Sequence, residues 1–207
     1  MKISNKAIQD FPYAKRLNLV NSLSGIKQVC LIGTISKDGQ TNVSPFNSIV
    51  HLGSSPALLG FILRPRKEVR RDTYENIMAT GSFTINHVHE NSLVNAHYTS
   101  AKLERSEFEA CNLTPEFLEG CQSPFVGESI VKMEMKFVEA IPIAHNNTTL
   151  VIGELVNVYL PPEIISSKGY VNFDQSKNVL VSGLNRYYTA SYVMDLPFAR
   201  PNEVPNF

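Results

Sequence analysis

Short blocks of apolar and β-branched residues separated by turn formers dominate the hydrophobic pattern of this chain. The first stretch differs, because Leu17-Asn18-Leu19-Val20-Asn21-Ser22-Leu23 carries a loose helical period that ends at Gly25. Val29-Cys30-Leu31-Ile32-Gly33-Thr34-Ile35 is a nearly continuous strand-forming run, and Asp38-Gly39 just after it predicts a tight hairpin turn. Ala57 to Leu63 predicts another buried strand, entered after Pro56. Asp72 predicts a helix N-terminus with Glu75 completing a capping pair, and Gly81 suits the left-handed residue that follows Thr80. Ser82 to Val88 alternates as a strand does.

Residues 90–120 are polar, mostly helical in pattern and interrupted at Pro115, so they predict an excursion from the main sheet. Two long strand-like runs follow, Ile130 to Ile143 and Thr148 to Leu160, joined through the permissive Asn146-Asn147 pair. Pro161-Pro162 stops the second. The segment 196–207, with Pro197, Pro201 and Pro205, predicts an extended arm lying on a neighbouring surface. The pattern as a whole predicts a mainly β fold, a mostly antiparallel barrel with helical insertions.

The chain's 207 residues suit one domain spanning 1–207. Nineteen basic residues against nineteen acidic ones give no long-range attraction to nucleic acid or anionic lipid. No apolar run is long enough for a transmembrane helix, and the N-terminus lacks a signal-peptide pattern, so the expected location is cytoplasmic. Cys30, Cys111 and Cys121 show no metal-ligand spacing, and reduced thiols are expected there.

Candidate chemistry concentrates in two segments. Thr41-Asn42-Val43-Ser44-Pro45-Phe46-Asn47-Ser48 offers hydroxyl, amide and backbone donors around a rigid proline turn. Arg70-Arg71-Asp72-Thr73-Tyr74-Glu75-Asn76-Ile77 brings two guanidinium groups to a helix start. Such donors suit a phosphate-bearing planar ligand. The plainer readings are an ordinary turn with a buried Phe46, and surface arginines paired with Glu68 and Asp72. His87, His89 and His97 invite a metal reading, but neither cysteine nor carboxylate stands at ligand spacing. Neither a nucleophile elbow nor a dinucleotide-binding glycine fingerprint is present.

Together with Gly60-Phe61-Ile62-Leu63-Arg64-Pro65 between them, these segments resemble the flavin reductase-like family of FMN-binding split barrels. The family's "SPFS"-type and "TYxNI"-type segments correspond to Ser44-Pro45-Phe46-Asn47 and Thr73-Tyr74-Glu75-Asn76-Ile77, with Asn47 at a serine position. Asn95-Ala96-His97-Tyr98-Thr99, Glu107-Phe108-Glu109, Gly153-Glu154-Leu155-Val156 and Gly183-Leu184-Asn185-Arg186-Tyr187 extend the resemblance over roughly residues 15–195.

The resemblance implies an FMN-binding split β-barrel with helical insertions, commonly dimeric with flavin near the interface. It implies FMN, or alternatively FAD, with NAD(P)H as a transient hydride donor. Reduced flavin or electrons would pass to a monooxygenase or another electron-acceptor protein. The alternative is a flavoredoxin-like carrier without nucleotide turnover. The implied flavin contacts are Ser44, Pro45, Phe46, Asn47, Ser48, Leu63, Arg64, Pro65, Arg70, Arg71, Thr73, Asn76 and His97, with Arg64, Arg70 and Arg71 as candidates for the phosphate. Tyr187 and Tyr188 would cover the site's mouth or pack at a subunit interface.

Overall fold

The computed structural model describes residues 1–66 and 70–205, so Glu68 lies outside the described residues. Two helices, α1 (Asn5–Gln9) and α2 (Tyr13–Leu23), precede β1 (Lys27–Gln28), β2 (Cys30–Ile35) and β3 (Thr41–Phe46). The next hairpin is β4 (Val50–Ser54) with β5 (Ala57–Leu63), after which α3 (Asp72–Thr80) leads into β6 (Ser82–His87). Then come α4 (Leu93–Tyr98), α5 (Glu107–Ala110) and the small pair β7 (Pro115–Glu116) and β8 (Phe125–Val126). A long hairpin, β9 (Lys132–Ile143) and β10 (Thr148–Tyr159), precedes a short one, β11 (Val179–Ser182) and β12 (Arg186–Thr189). No helix among the described residues is long and apolar enough to cross a membrane.

The main sheet has seven antiparallel strands in the order β3-β2-β6-β9-β10-β5-β4, and β1-β11-β12 form a second, smaller sheet. The β9–β10 hairpin joins the two halves of the barrel, since β9 pairs with β6 and β10 pairs with β5. Register shifts at Ile152/Gly153 and Leu155/Asn157 bend this ribbon, as bulges do, so that one hairpin serves both halves.

The unbroken apolar run of β2 has a structural cause: both of its faces are buried. Cys30 and Ile32 point into the barrel core with Phe61, Phe83, Ile85, Met135 and Val151. Leu31 points to the opposite face, where Val43, Val88, Ala96, Phe108 and Val181 cover it. Gly33 lies on the same strand because its backbone meets Pro124: an added Cβ would stand 2.1 Å from the Pro124 carbonyl oxygen. Cys30, Cys111 and Cys121 are all buried free thiols.

Three local expectations need correction. Asp38-Gly39 does turn the β2–β3 hairpin, but Ser44-Pro45-Phe46 is strand rather than turn, with Pro45 opposite Leu31. Proline is tolerated there because β3 is an edge strand of the sheet, where a missing N–H breaks no ladder. Asp72 does not cap α3. Arg71 is the N-cap residue, no side chain caps the helix, and Asp72 and Glu75 instead hold Arg70 Nε at 2.8 and 2.9 Å. A guanidinium within reach of both carboxylates competes successfully with the helix amides. Pro115 starts β7 rather than merely interrupting helix. Gly81 ends α3 as expected, at φ 71°, with its N–H donating to Ile77 O at 2.8 Å.

Candidate functional site

The open end of the main sheet leaves a cleft of about 470 Å³ between the end of β3, the end of β5, the start of α3 and the segment after α4. Each wall follows from a local sequence feature. The edge strand β3 frays into Asn47-Ser48 at its exit, and Phe46 packs edge-on to Phe61, with ring centroids 4.8 Å apart. Helix α3 starts at the cleft, with Arg70 and Arg71 immediately before it.

Ten of the expected contacts line this cleft: Ser44 to Ser48, Leu63, Arg64, Arg70, Arg71 and Thr73. Three do not. Pro65 is exposed outside it. Asn76 lies one helical turn behind Thr73, buried, donating through Nδ2 to Thr34 Oγ1 at 3.1 Å. His97 lines a second cleft of about 320 Å³ that shares Pro45, Phe46, Asn47, Arg64 and Ser100 with the first.

Five hydroxyls line the main cleft, and hydrogen bonding separates those committed to the fold from those available. Ser48 Oγ clasps β5, accepting from Ile62 N at 3.0 Å and donating to Ile62 O at 3.3 Å. Thr99 and Ser100 donate to the carbonyls of Ala96 and His97, at 2.7 and 2.8 Å, finishing α4. Among the described residues, no acceptor takes a proton from Ser44 or Thr73. Asn47 is half committed, since Nδ2 donates to Gly183 O at 2.9 Å and so ties β3 to the turn after β11.

The cations divide similarly. Arg70 is neutralised by Asp72 and Glu75, and all three side chains are more than half exposed. Arg71 is partly buried, and its Nε donates to Pro65 O at 3.4 Å. Among the described residues Arg64, Arg71 and Lys102 form no ion pair, so three positive charges rim the cleft. Glu107, at the start of α5, adds one carboxyl to the lining. Burial pushes its pKa up and the charge of Asp72 adds to this, while backbone hydrogen bonds at Glu107 and Val43 pull the other way.

The three histidines stand in three different settings. His87 is buried against Phe173, His89 accepts from Asn91 N at 3.2 Å, and His97 Nδ1 meets the Tyr187 hydroxyl at 2.7 Å. Burial also raises the pKa of Tyr187, keeping the phenol protonated. Tyr187 lines the second cleft, whereas Tyr188 is exposed.

Sequence reasoning missed Asn42, Ile62, Asp72, Glu107 and the stretch 99–103 as lining residues. Asn42 and Glu107 stood inside segments singled out for their pattern, so a signal existed. Lys102 carries none, because only the path of the chain after α4 brings it over the cleft.

Solved structures share this architecture. A protein from Shewanella frigidimarina, assigned as a flavin reductase with a split barrel domain, is 42% identical, with a TM-score of 0.91 over 96% of this chain and 100% of its own. Nitrilotriacetate monooxygenase component B from Bacillus cereus shares the fold at 22% identity and a TM-score of 0.81, over 95% and 98% of the two chains. Flavoredoxin of Desulfovibrio vulgaris does so at 23% identity and a TM-score of 0.74, over 96% and 98%. The fold is therefore a mainly β split barrel. The flavin reductase like domain model matches residues 25–179, and the chain belongs to that family.

Proposed function

We propose that this protein is an FMN-binding reductase that uses NAD(P)H as its donor. The observation that carries the reading is the pair of adjoining clefts: two ligand-sized volumes share Pro45, Phe46, Asn47, Arg64 and Ser100 among their lining residues. Residues lining both clefts make the two adjoin, so that a nicotinamide entering the second could stack directly on a flavin ring in the first, the contact that hydride exchange requires.

The donor set of the main cleft fits a flavin mononucleotide. At one end are Arg71, Thr73 and the uncapped start of α3, which together supply a guanidinium, a hydroxyl and helix amides for a phosphate. At the other are Pro45, Phe46 and Leu63, an apolar wall for a ring, with the remaining Asn47 amide hydrogen and carbonyl for its polar edge. When bound, the flavin supplies acceptance of hydride and onward transfer of electrons, chemistry the side chains cannot perform. The chain's own part is to bind, orient and exclude water. The second cleft combines the polar pair His97 and Tyr187 with apolar Val29, Leu93, Ala96 and Val181, and Asn47, Arg64, Ser100 and Asn185 add further polar groups. That composition suits a nicotinamide ring with one carboxamide.

The outer face of β4, β5, β10 and the end of β9 supports a homodimer. Leu150 pairs with Ile62 and with Ile141 across the sheet, and the δ-carbons of Leu150 and Leu52 flank Gly60. Val50, Leu52 and Ile141 are exposed there, and Ile62 belongs to both this face and the main cleft. A second copy covering the face would therefore also shelter the cleft. The likeness to component B of nitrilotriacetate monooxygenase makes a monooxygenase our candidate acceptor of reduced flavin. Buried free thiols suit the reducing cytoplasm, where we place the protein.

Anaerobic stopped-flow absorbance of FMN-loaded protein mixed with NADH and, separately, NADPH tests the reading. Rapid bleaching of the oxidised flavin band is expected with one of them. Tight FMN without bleaching by either would favour a flavoredoxin-like electron carrier, and failure to retain FMN would remove the site assignment.

A further inference from the structure

Behind the phosphate end of the main cleft lies a buried polar cluster contributed by three elements. Asn42 of β3 uses both hydrogens of Nδ2: one goes to Thr34 Oγ1 on β2 and one to Thr73 Oγ1 on α3, each at 3.2 Å. Asn76, one turn along α3, donates to the same Thr34 Oγ1 at 3.1 Å. All four side chains are nearly inaccessible, with Thr73 only 4% exposed. Yet Asn42 and Thr73 both line the cleft.

The valences of these groups decide what Thr73 can do. A threonine hydroxyl has one proton to give and lone pairs to receive. Thr73 Oγ1 already receives a hydrogen from Asn42, and an amide nitrogen accepts nothing in return. The Thr73 proton must therefore point away from Asn42, and among the described residues it meets no protein acceptor. The direction left open is the cleft, beside Arg71 and the first amides of α3.

We propose that Asn42 is a positioning residue that locks Thr73 as a hydrogen-bond donor toward an anionic ligand group, the terminal phosphate of the flavin mononucleotide; this rests on the function proposed above. A freely rotating hydroxyl would divide its time between the Asn42 side and the cleft. With Asn42 donating, only the orientation that recognises an acceptor survives. Asn42 therefore sharpens discrimination between phosphorylated and unphosphorylated flavin without touching the phosphate. The Asn42 amide presents nitrogen, not oxygen, to both Thr34 and Thr73. Because Thr34 Oγ1 receives from both Asn42 and Asn76, the cluster couples the position of β3 to that of α3.

The ratio of the riboflavin Kd to the FMN Kd isolates the phosphate, since contacts to ring and ribityl chain cancel. Wild type, Asn42→Ala, Thr73→Val and the double variant would be titrated with both flavins, with fold and melting temperature checked first. A hydrogen bond to a charged group sets the expected scale: the ratio falls about ten- to thirtyfold in Thr73→Val and about five- to tenfold in Asn42→Ala. In the Thr73→Val background, Asn42→Ala is expected to change the ratio no further, and Thr73→Ser should retain most of it. A merely structural Asn42 would instead weaken both flavins alike and add its effect to that of Thr73→Val. If Thr73→Val lowers the ratio and Asn42→Ala does not, the positioning role is overturned while the phosphate site stands. If Thr73→Val leaves the ratio unchanged, the phosphate placement fails and the inference with it. Should Asn42→Ala fold poorly, Asn42→Ser, polar but too short to reach Thr73, takes its place with the same expected fall and the same overturning result.

Discussion

His97 Nδ1 lies 2.7 Å from the hydroxyl of Tyr187, a contact that joins α4 to β12 across 90 residues. The two rings also meet edge to face, with centroids 5.9 Å apart. Burial raises the pKa of Tyr187, which favours a protonated phenol at the wall of the second cleft. Tyr187→Phe removes that hydrogen bond and leaves the ring in place. Steady-state kcat/KM for the nicotinamide nucleotide is expected to fall about tenfold, with FMN affinity within about twofold of wild type. An equal loss in FMN affinity would mean that the second cleft belongs to the flavin.

Adjacent arginines at the main cleft are not equivalent. Arg70 is shared by two carboxylates, while among the described residues Arg71 has no ion-pair partner. Arg71→Ala should weaken FMN binding by about ten- to a hundredfold, the loss of one charge-assisted contact. Arg70→Ala should change it by no more than about threefold, since exposed pairs contribute little. Fluorescence titration of FMN against the two variants distinguishes them, and the reverse order would place the phosphate near Arg70.

Gly33 stands where β2 passes under Pro124. A Cβ there would come within 2.1 Å of a backbone carbonyl and 2.6 Å of Thr84 Oγ1, which itself donates to that carbonyl at 2.7 Å. Neither obstacle is the free end of a flexible side chain. Gly33→Ala is expected to destabilise the fold by about 3 kcal/mol, the upper part of the overpacking range. Denaturant unfolding reads this directly, and a loss under about 1 kcal/mol would show that the 124 segment yields easily.

His87 makes stability depend on acid. Its ring is buried on Phe173 and has Asn178 Nδ2 3.4 Å from Nδ1, and burial lowers its pKa to about 4 from the ordinary 6.5. Between those values the unfolded chain binds a proton that the folded protein refuses. The stabilisation is therefore complete above pH 6.5 and is lost as pH falls toward 4, by about 3 kcal/mol in all. Unfolding curves at successive pH values should show this slope, and His87→Gln should flatten it. An unchanged slope in the variant would assign the acid sensitivity elsewhere.

Particular elements show how much of this was legible beforehand. The β2 run, the Asp38-Gly39 turn, the Gly81 helix end and the β9–β10 hairpin all follow from local chemistry, and each stands where its residues predict. Pro45 misled because proline signals a turn unless the strand lies at an edge, and edges are a property of the assembled sheet. Asp72 misled because its partner, Arg70, competes for the same carboxylate only once both side chains are placed. Among the candidate contacts, the Ser44–Ser48 and Arg70–Thr73 segments were marked by their donors, whereas Ser48 and Arg70 proved committed to the protein itself.

The amino-acid sequence alone marked β2, β5, β6, β9 and β10, the span of α3 and the two segments that carry the donors, because these depend on neighbours within a few residues. Tertiary structure decided which donors remain available. Ser48 bonds to Ile62, Asn47 to Gly183, His97 to Tyr187 and Thr73 to Asn42, and each partner lies 14 to 136 residues away. A hydroxyl or amide has few hydrogen-bonding valences, so its freedom to meet a ligand depends on what the fold has brought beside it.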